Sequence, residues 1–146
     1  MSFFKSINIS ATGLTAERLR MDIISKNIAN ANTTRTSSGT PYRRQIPIFK
    51  ERKGSSFSEI LNTVKSGYDL GNGVEVSKIT YDNSPFKKVY NPGHPDADEK
   101  GYVLMPNVDI VTEMINLISA SRGYEANVTA LNSSKNIAMK ALEIGR

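Results

Sequence analysis

The sequence predicts an α+β protein in which two long terminal helices form a coiled-coil-like helical core and flank a small, extended, β-rich central insert. Apolar residues recur at helical spacing over about the first thirty residues and again over the last forty. Between these stretches, turn-forming Gly, Pro, Asn and Asp recur in SSGTP, GNG, DNSP and NPGHP. The predicted segments are residues 1–34, 35–106 and 107–146.

The N-terminal segment predicts an amphipathic helix over about residues 3–32. Four of its apolar residues recur at seven-residue spacing, as in the seam of a coiled coil, namely Ile7, Leu14, Met21 and Ile28. Charged residues interrupt the segment, so it contains no run of about twenty uncharged apolar residues that could span a membrane. It also lacks the continuous apolar stretch of a cleaved secretory signal, so we expect none.

The central insert contains three strand candidates and one short helix candidate. Residues 73–81 are the strongest strand candidate, because Val74 and Val76 alternate with polar residues. Residues 44–50 and 85–90 show weaker strand patterns, and residues 57–66 place apolar side chains on one face of a short helix. The sequence GNG at residues 71–73, just before Val74, lacks the lysine and the following helix that a phosphate-binding loop requires, so it predicts a turn.

The C-terminal segment predicts one helix over about residues 107–145. Pro106 and the N-cap residue Asn107 mark its start, and Asp109 and Glu113 place negative charge near the positive end of the helix dipole. Its predicted seam consists of Ile110, Met114, Leu117, Tyr124, Val128, Leu131 and Leu142. Together with the seam of the first helix, these residues form a predicted assembly interface.

Each terminal helix contains an interior glycine, Gly13 or Gly123, next to a seam residue. Glycine costs about 1 kcal/mol of helix stability relative to alanine inside a helix. One interpretation is that the helix simply tolerates this cost. The other is that each glycine marks a close backbone approach to a neighbouring helix.

The formal net charge of +5 is concentrated in one short segment, residues 35–53. The basic residues of this predicted docking loop are Arg35, Arg43, Arg44, Lys50, Arg52 and Lys53, and its only acidic residue is Glu51. Such a cluster could bind phosphates of nucleic acid or an acidic protein partner, which makes a basic binding module the alternative function. Two prolines and the lack of a recognition-helix pattern favour a solvated loop or a protein-docking surface over nucleic-acid binding.

The residue types needed for catalysis or metal binding are scarce. The chain has one histidine, His94, and no cysteine, and no GxSxG context supplies a serine nucleophile. The stretch DADEKGYVLMPN resembles a calcium loop but has Lys100 and Asn107 where oxygen ligands and a bidentate glutamate are needed. We therefore predict no enzyme activity, catalytic residues, metal, cofactor or small-molecule substrate.

Three motifs carry a resemblance to a known family. The opening ISATGLTAERLRMDIISKNIANANTT, followed by PYRRQ, resembles the N-terminal signature of bacterial flagellar rod, hook and hook-associated axial proteins. The segment NVDIVTEMINLISASRGYEANVTALNSSKNIAMKALEI resembles their C-terminal signature, and NPGHPDADEKGYVLMPNVD is similar to the short proximal-rod members. The insertion RTSSGTP before Tyr42 departs from the usual pattern and leaves the conformation of that loop open.

The resemblance implies a structural subunit of the flagellar basal-body proximal rod, required for motility. Such a subunit polymerises helically with copies of itself and other rod proteins, transmits torque and forms part of the export channel. The resemblance also implies export by the flagellar type III apparatus without a cleaved signal, and a location in the periplasm-spanning rod. The connection to the basal-body ring of the inner membrane would then be indirect, and no nucleic acid would be bound.

Overall fold

The computed structural model describes residues 3–52, 61 and 71–144. Its elements, in chain order, are α1 (Phe3–Ala29), β1 (Gln45–Glu51), β2 (Val74–Tyr81), β3 (Lys87–Tyr90), β4 (Tyr102–Met105) and α2 (Ile110–Ile144). Two long terminal helices and a small insert of short antiparallel strands confirm the predicted α+β class. Within the described residues, neither helix is long and apolar enough to cross a bilayer.

The strands form two separate two-stranded sheets, β1 with β2 and β3 with β4. The predictions for residues 44–50, 73–81 and 85–90 are confirmed by β1, β2 and β3. Strand β4 was not predicted, because four residues between a turn and Pro106 are too short for a clear alternating pattern. Its antiparallel register with β3 runs from Lys87 opposite Met105 to Tyr90 opposite Tyr102. Apart from Leu61, the predicted helix at residues 57–66 lies outside the described residues.

The predicted start of the second helix was wrong by about three residues. Helix α2 begins at Ile110, and Asp109 is its N-cap, accepting hydrogen bonds from the backbone N–H of Val111 and the hydroxyl of Thr112. These bonds stabilise the ionised carboxylate, so the pKa of Asp109 is lowered, first by Thr112 and then by Val111. Asn107 lies before the helix and bonds to the insert instead.

The chain divides into two compact units, the first comprising residues 1–18, 49–77 and 121–146. In this unit the start of α1 and the end of α2 pack antiparallel. The hydroxyl oxygens of Ser6 and Ser134 are 3.4 Å apart, and Gly13 faces the side chain of Asn127. The hydroxyl of Thr12 on α1 accepts a hydrogen bond from the backbone N–H of Val74, which attaches β2 to the helix.

The second unit comprises residues 19–48 and 78–120 and contains most of the buried side chains. Here the end of α1 packs against the start of α2, since Asn27 bonds to Glu113. The buried apolar residues of this unit are Ile23, Ile24, Ala31, Tyr42, Val103, Pro106, Val108 and Ala120.

The two interior glycines differ in how closely the facing helix approaches. A Cβ atom on Gly13 would lie 2.8 Å from Oδ1 and 3.0 Å from Cγ of Asn127, which is too close for normal packing. A Cβ atom on Gly123 would lie 3.4 Å from Cδ of Glu17, an ordinary contact. At Gly13 the facing helix does approach closely, but through the side chain of Asn127 rather than through its backbone, whereas Gly123 has room for a methyl group.

We expect Gly13→Ala and Gly123→Ala to change stability in opposite directions. Gly123→Ala gains helix propensity, worth up to about 1 kcal/mol. Gly13→Ala forces the side chain of Asn127 to move, although a hydrogen bond to the backbone carbonyl of Gly123 at 2.9 Å holds that side chain in place. The resulting overpacking costs about 1–3 kcal/mol, which outweighs the gain in helix propensity. Urea unfolding measures the stability of both single variants. The double variant Gly13→Ala/Asn127→Ala should recover the stability that Gly13→Ala loses, because it removes the side chain that the new methyl group meets. Equal stability of the two single variants would contradict the assignment of a close contact at Gly13.

Candidate functional site

A buried asparagine lies at the centre of the second unit. Asn27, on the last turns of α1, is 1% exposed, and its amide makes four hydrogen bonds. Nδ2 donates to the backbone carbonyl of Gln45 at 2.9 Å and to Oε2 of Glu113 at 2.8 Å. Oδ1 accepts from the hydroxyl of Tyr42 at 2.9 Å and the N–H of Gln45 at 3.0 Å. Both donors and both acceptor sites of the amide are therefore satisfied.

A buried carboxylate completes this polar cluster from the second helix. Glu113 is 1% exposed, and its Oε1 accepts from Nε of Arg44 at 3.0 Å and from Nη2 at 2.6 Å. Burial disfavours the charge of the guanidinium, but the hydrogen bonds and charges of Glu113 and Asp82 together outweigh burial and raise the pKa of Arg44. The cluster therefore joins α1, the start of β1 and α2 through a compensated buried charge.

The loop after β2 extends the cluster towards the surface. Asn107 accepts a hydrogen bond from the N–H of Arg44 at 2.9 Å and donates to the carbonyl of Asp82 at 3.0 Å. The pKa of Asp82 is lowered, mainly because the N–H and hydroxyl of Ser84 donate to its carboxylate, with Arg44 contributing after them. Arg43 donates to the same loop, and its guanidinium carbon lies 4.4 Å above the ring of Phe86.

The predicted docking loop is therefore not one free basic surface. Arg43 and Arg44 are bound within the chain, which corrects the expectation that they are available to a partner. Lys50 pairs with Glu75 at 2.9 Å, and the mostly exposed Arg35 lies 3.8 Å from Asp96. Arg52 is exposed, and Lys53 lies outside the described residues.

The predicted seam residues fall into two groups. Those half-buried in the subunit are Ile7, Leu14, Met21, Ile28, Leu117, Tyr124, Val128 and Leu131. Ile110, Met114 and Leu142 are exposed. The most buried helical positions include Ala16, Ile23, Asn27, Glu113 and Ala120, so the contact within the subunit lies beside the heptad series rather than on it. The assignment of the seam to an intermolecular interface stays a prediction.

The described residues contain no group of three or more His, Asp or Glu side chains that could hold a metal ion. His94 accepts a hydrogen bond at Nδ1 from the N–H of Asp96, and Asp96 in turn accepts one from Thr34. Asp98 accepts from the N–H groups of Lys100 and Tyr102. The acidic residues of the calcium-like stretch thus stabilise a turn.

Comparison with known proteins identifies the class. Residues 7–35 match the family described as flagella basal body rod protein, and residues 99–144 match the family described as flagellar basal body rod FlgEFG protein C-terminal. These two regions contain most of α1 and all of the described α2. The chain is therefore a flagellar rod protein built on paired terminal helices.

Full-length relatives narrow this class to one family. The chain is 53% identical to the flagellar basal-body rod protein FlgC of Bacillus subtilis, with all of both chains covered. It is 50% identical to FlgC of Borreliella burgdorferi, covering 99% of this chain and 98% of the relative, and 36% identical to FlgC of Salmonella typhimurium over both full lengths. The chain belongs to the FlgC family and is a structural rod subunit of the flagellar basal body. It assembles with other rod components.

The buried cluster was missed by sequence reasoning, although its residues were visible. Asn27, Tyr42 and Arg43 are part of the family signature, and Glu113 was interpreted only as a favourable charge near the helix start. The position of Glu113 could have predicted its burial. Glu113 is the only charged residue between Ile110 and Ser121, and it shares a helical face with Leu117 and Ala120. A lone carboxylate on an inward face requires a cationic partner.

We expect Glu113→Gln to lower the free energy of unfolding by about 1–3 kcal/mol, because Arg44 loses its charged partner in a buried position. The matched control is Glu143→Gln. That glutamate forms an exposed pair with Lys140 at 3.6 Å, so its loss should change stability little. Chemical denaturation of both variants measures the difference, and equal midpoints would show that the buried pair does not stabilise the fold.

Proposed function

We propose that the antiparallel helix pair is the element through which this subunit assembles into the proximal rod, where it transmits torque and lines the export channel. The observation that carries this proposal is the helix pair itself, since residues of α1 face residues of α2 within each of the two units. Both matched family regions contain these helices. Elongated helices with apolar residues on more than one face need neighbours to bury them.

The same proposal includes the route and location of the subunit. It leaves the cytoplasm through the flagellar type III apparatus without a cleaved signal, and the rod then spans the periplasm. Its contact with the basal-body ring of the inner membrane is indirect. The role is structural and not enzymatic, which agrees with the names of its relatives. We propose that it uses no cofactor, metal or small-molecule substrate.

The predicted interface also contains the half-buried residues Leu117 and Leu131. We expect Leu117→Asp and Leu131→Asp each to abolish swimming and rod assembly without blocking export, because each places a charge between packed helices. The matched control is Asn132→Asp, which adds the same charge at an exposed neighbouring position. Complementation of a strain lacking the native gene measures swimming, and immunoblots of culture fractions and isolated basal bodies measure export and incorporation. Normal swimming of both leucine variants would refute the seam.

The alternative of a nucleic-acid-binding module receives no support from these relatives. Two of its basic residues, Arg43 and Arg44, are engaged within the chain, which leaves fewer cations to neutralise phosphates. We expect no shift of duplex DNA in a gel at physiological salt. Tight, salt-dependent binding that is lost on replacing Arg35, Lys50 and Arg52 by Ala would reverse this conclusion.

A further inference from the structure

The sheet formed by β3 and β4 carries two exposed tyrosines on its outer face. Residues that pair across antiparallel strands place their side chains on the same face, and the register pairs Lys88 with Leu104 and Tyr90 with Tyr102. These four residues form the tyrosine face. Tyr90 is 65% exposed and Tyr102 is 44% exposed, whereas Val103 on the opposite face is buried. Neighbouring exposed aromatic rings offer apolar surface that a bound ligand can cover.

The two rings are held in place by their surroundings. Their centroids are 5.3 Å apart and their planes meet at 67°, which is an edge-to-face contact. A Cβ atom on Gly101 would lie 2.9 Å from Cε2 of Tyr90, so this ring rests against the backbone of the connection between the strands. The N–H of Asn91 closes that connection by donating to the carbonyl of Gly101 at 2.9 Å. Because the rings are already ordered, binding a ligand costs them little conformational entropy.

Two open clefts of the second unit adjoin each other at Tyr102. Their volumes are about 460 Å³ and 500 Å³, and Lys88, Asp98 and Tyr102 line both of them. The first cleft extends to the loop that contains Arg35, and the second extends to Lys100. Adjoining clefts with a shared aromatic wall suit an elongated ligand built from repeating units better than a single small molecule.

The charged side chains of the two clefts balance each other. Three are cationic and three are acidic, namely Arg35, Lys88, Lys100, Asp96, Asp98 and Glu99. Nucleic acid and anionic membrane surfaces require an excess of lysine and arginine, and these clefts have no such excess. The balance instead favours an uncharged ligand whose groups can bond to ammonium and carboxylate groups alike.

A pyranose ring has this chemistry. One of its faces consists of C–H groups with a slightly positive potential, and such a face packs against the negative face of an aromatic ring. Its hydroxyl groups both donate and accept hydrogen bonds, so they can bond to lysine and to carboxylates. A few polar groups placed around an apolar surface are also what fixes the orientation of a bound ligand. The tyrosine face and its clefts supply both requirements.

We propose that the tyrosine face binds a glycan strand of the bacterial cell wall, whose backbone of N-acetylated amino sugars is an uncharged, repeating pyranose polymer. This inference rests on the proposed function, because only a subunit exported into the periplasm-spanning rod meets that polymer. A contact made by one pair of exposed rings is weak and dissociates quickly. It therefore positions the subunit against the wall during assembly without holding the finished rod.

The first test measures sedimentation of the full chain with purified, protein-free peptidoglycan. Tyr90→Ala should bind about tenfold more weakly than the wild type, a change of about 1.4 kcal/mol, because it removes the stacking surface. Tyr90→Phe keeps the ring and should bind like the wild type. The matched control is Tyr81→Ala, which removes a 58% exposed tyrosine from β2 and should leave binding unchanged. Equal binding of Tyr90→Ala and the wild type would overturn the proposal.

The same assay separates glycan binding from ionic adsorption of a chain with a net charge of +5. At about 1 M sodium chloride the screening length falls to about 3 Å, so adsorption driven by charge is lost. Stacking on an aromatic ring should persist, and soluble oligomers of N-acetylglucosamine should displace the chain from the peptidoglycan. Binding that disappears in salt, or that these oligomers leave intact, would contradict a glycan site.

The second test uses the wild-type chain and remains informative if Tyr90→Ala misfolds. In NMR spectra, N-acetylglucosamine oligomers should shift the backbone amide signals of Gly101 and Tyr102 and leave those of Gly13 and Gly123 in the first unit unchanged. Unshifted signals at Gly101 and Tyr102 would refute this inference. The proposed function has a separate readout, because absence of the wild-type chain from isolated basal bodies would refute that function, whereas normal incorporation without glycan binding would refute the glycan site alone.

Discussion

The buried bond between Asn27 and Glu113 is the interaction on which the second unit depends. It joins the two terminal helices, and the remaining atoms of both side chains hold the start of the insert through Tyr42, Arg44 and the backbone of Gln45. A buried carboxylate is costly unless a cation and enough hydrogen-bond donors compensate it. Here the guanidinium of Arg44 and the side-chain amides of Asn27 and Asn116 do so. This favourable geometry exists only when the helices and the insert are together.

This cluster gives the family signature a physical meaning. The asparagine-rich end of the first helix and the PYRRQ that follows it are separate in the sequence, but Asn27, Tyr42 and Arg44 meet around one carboxylate. Because the amide of Asn27 uses both donors and both acceptor sites, aspartate, leucine or serine could not reproduce its bonds. The motif therefore specifies how the chain leaves the helix and enters β1.

Local patterns predicted much of the fold and little of the site. Heptad spacing located both helices, and alternation located β1, β2 and β3. Strand β4 was not predicted, because its pairing with β3 defines it rather than a pattern in its own four residues. The buried cluster was not predicted for a related reason, since Asn27 and Glu113 are 86 residues apart and no periodicity links them. Asn107 was assigned as a helix cap because its local preference is real, although tertiary bonds to Arg44 and Asp82 determine its actual role.

The antiparallel helix contact within the first unit limits how this chain can change in length. Ser6 faces Ser134 and Gly13 faces Asn127, so a residue inserted in α1 between Ser6 and Gly13 would turn every later residue of that helix by about 100° relative to Ser6. Gly13 would then no longer face Asn127, and a matching insertion in α2 would turn Asn127 away as well. The connections of the insert, such as the RTSSGTP loop, can accept an added residue because no helical face turns there.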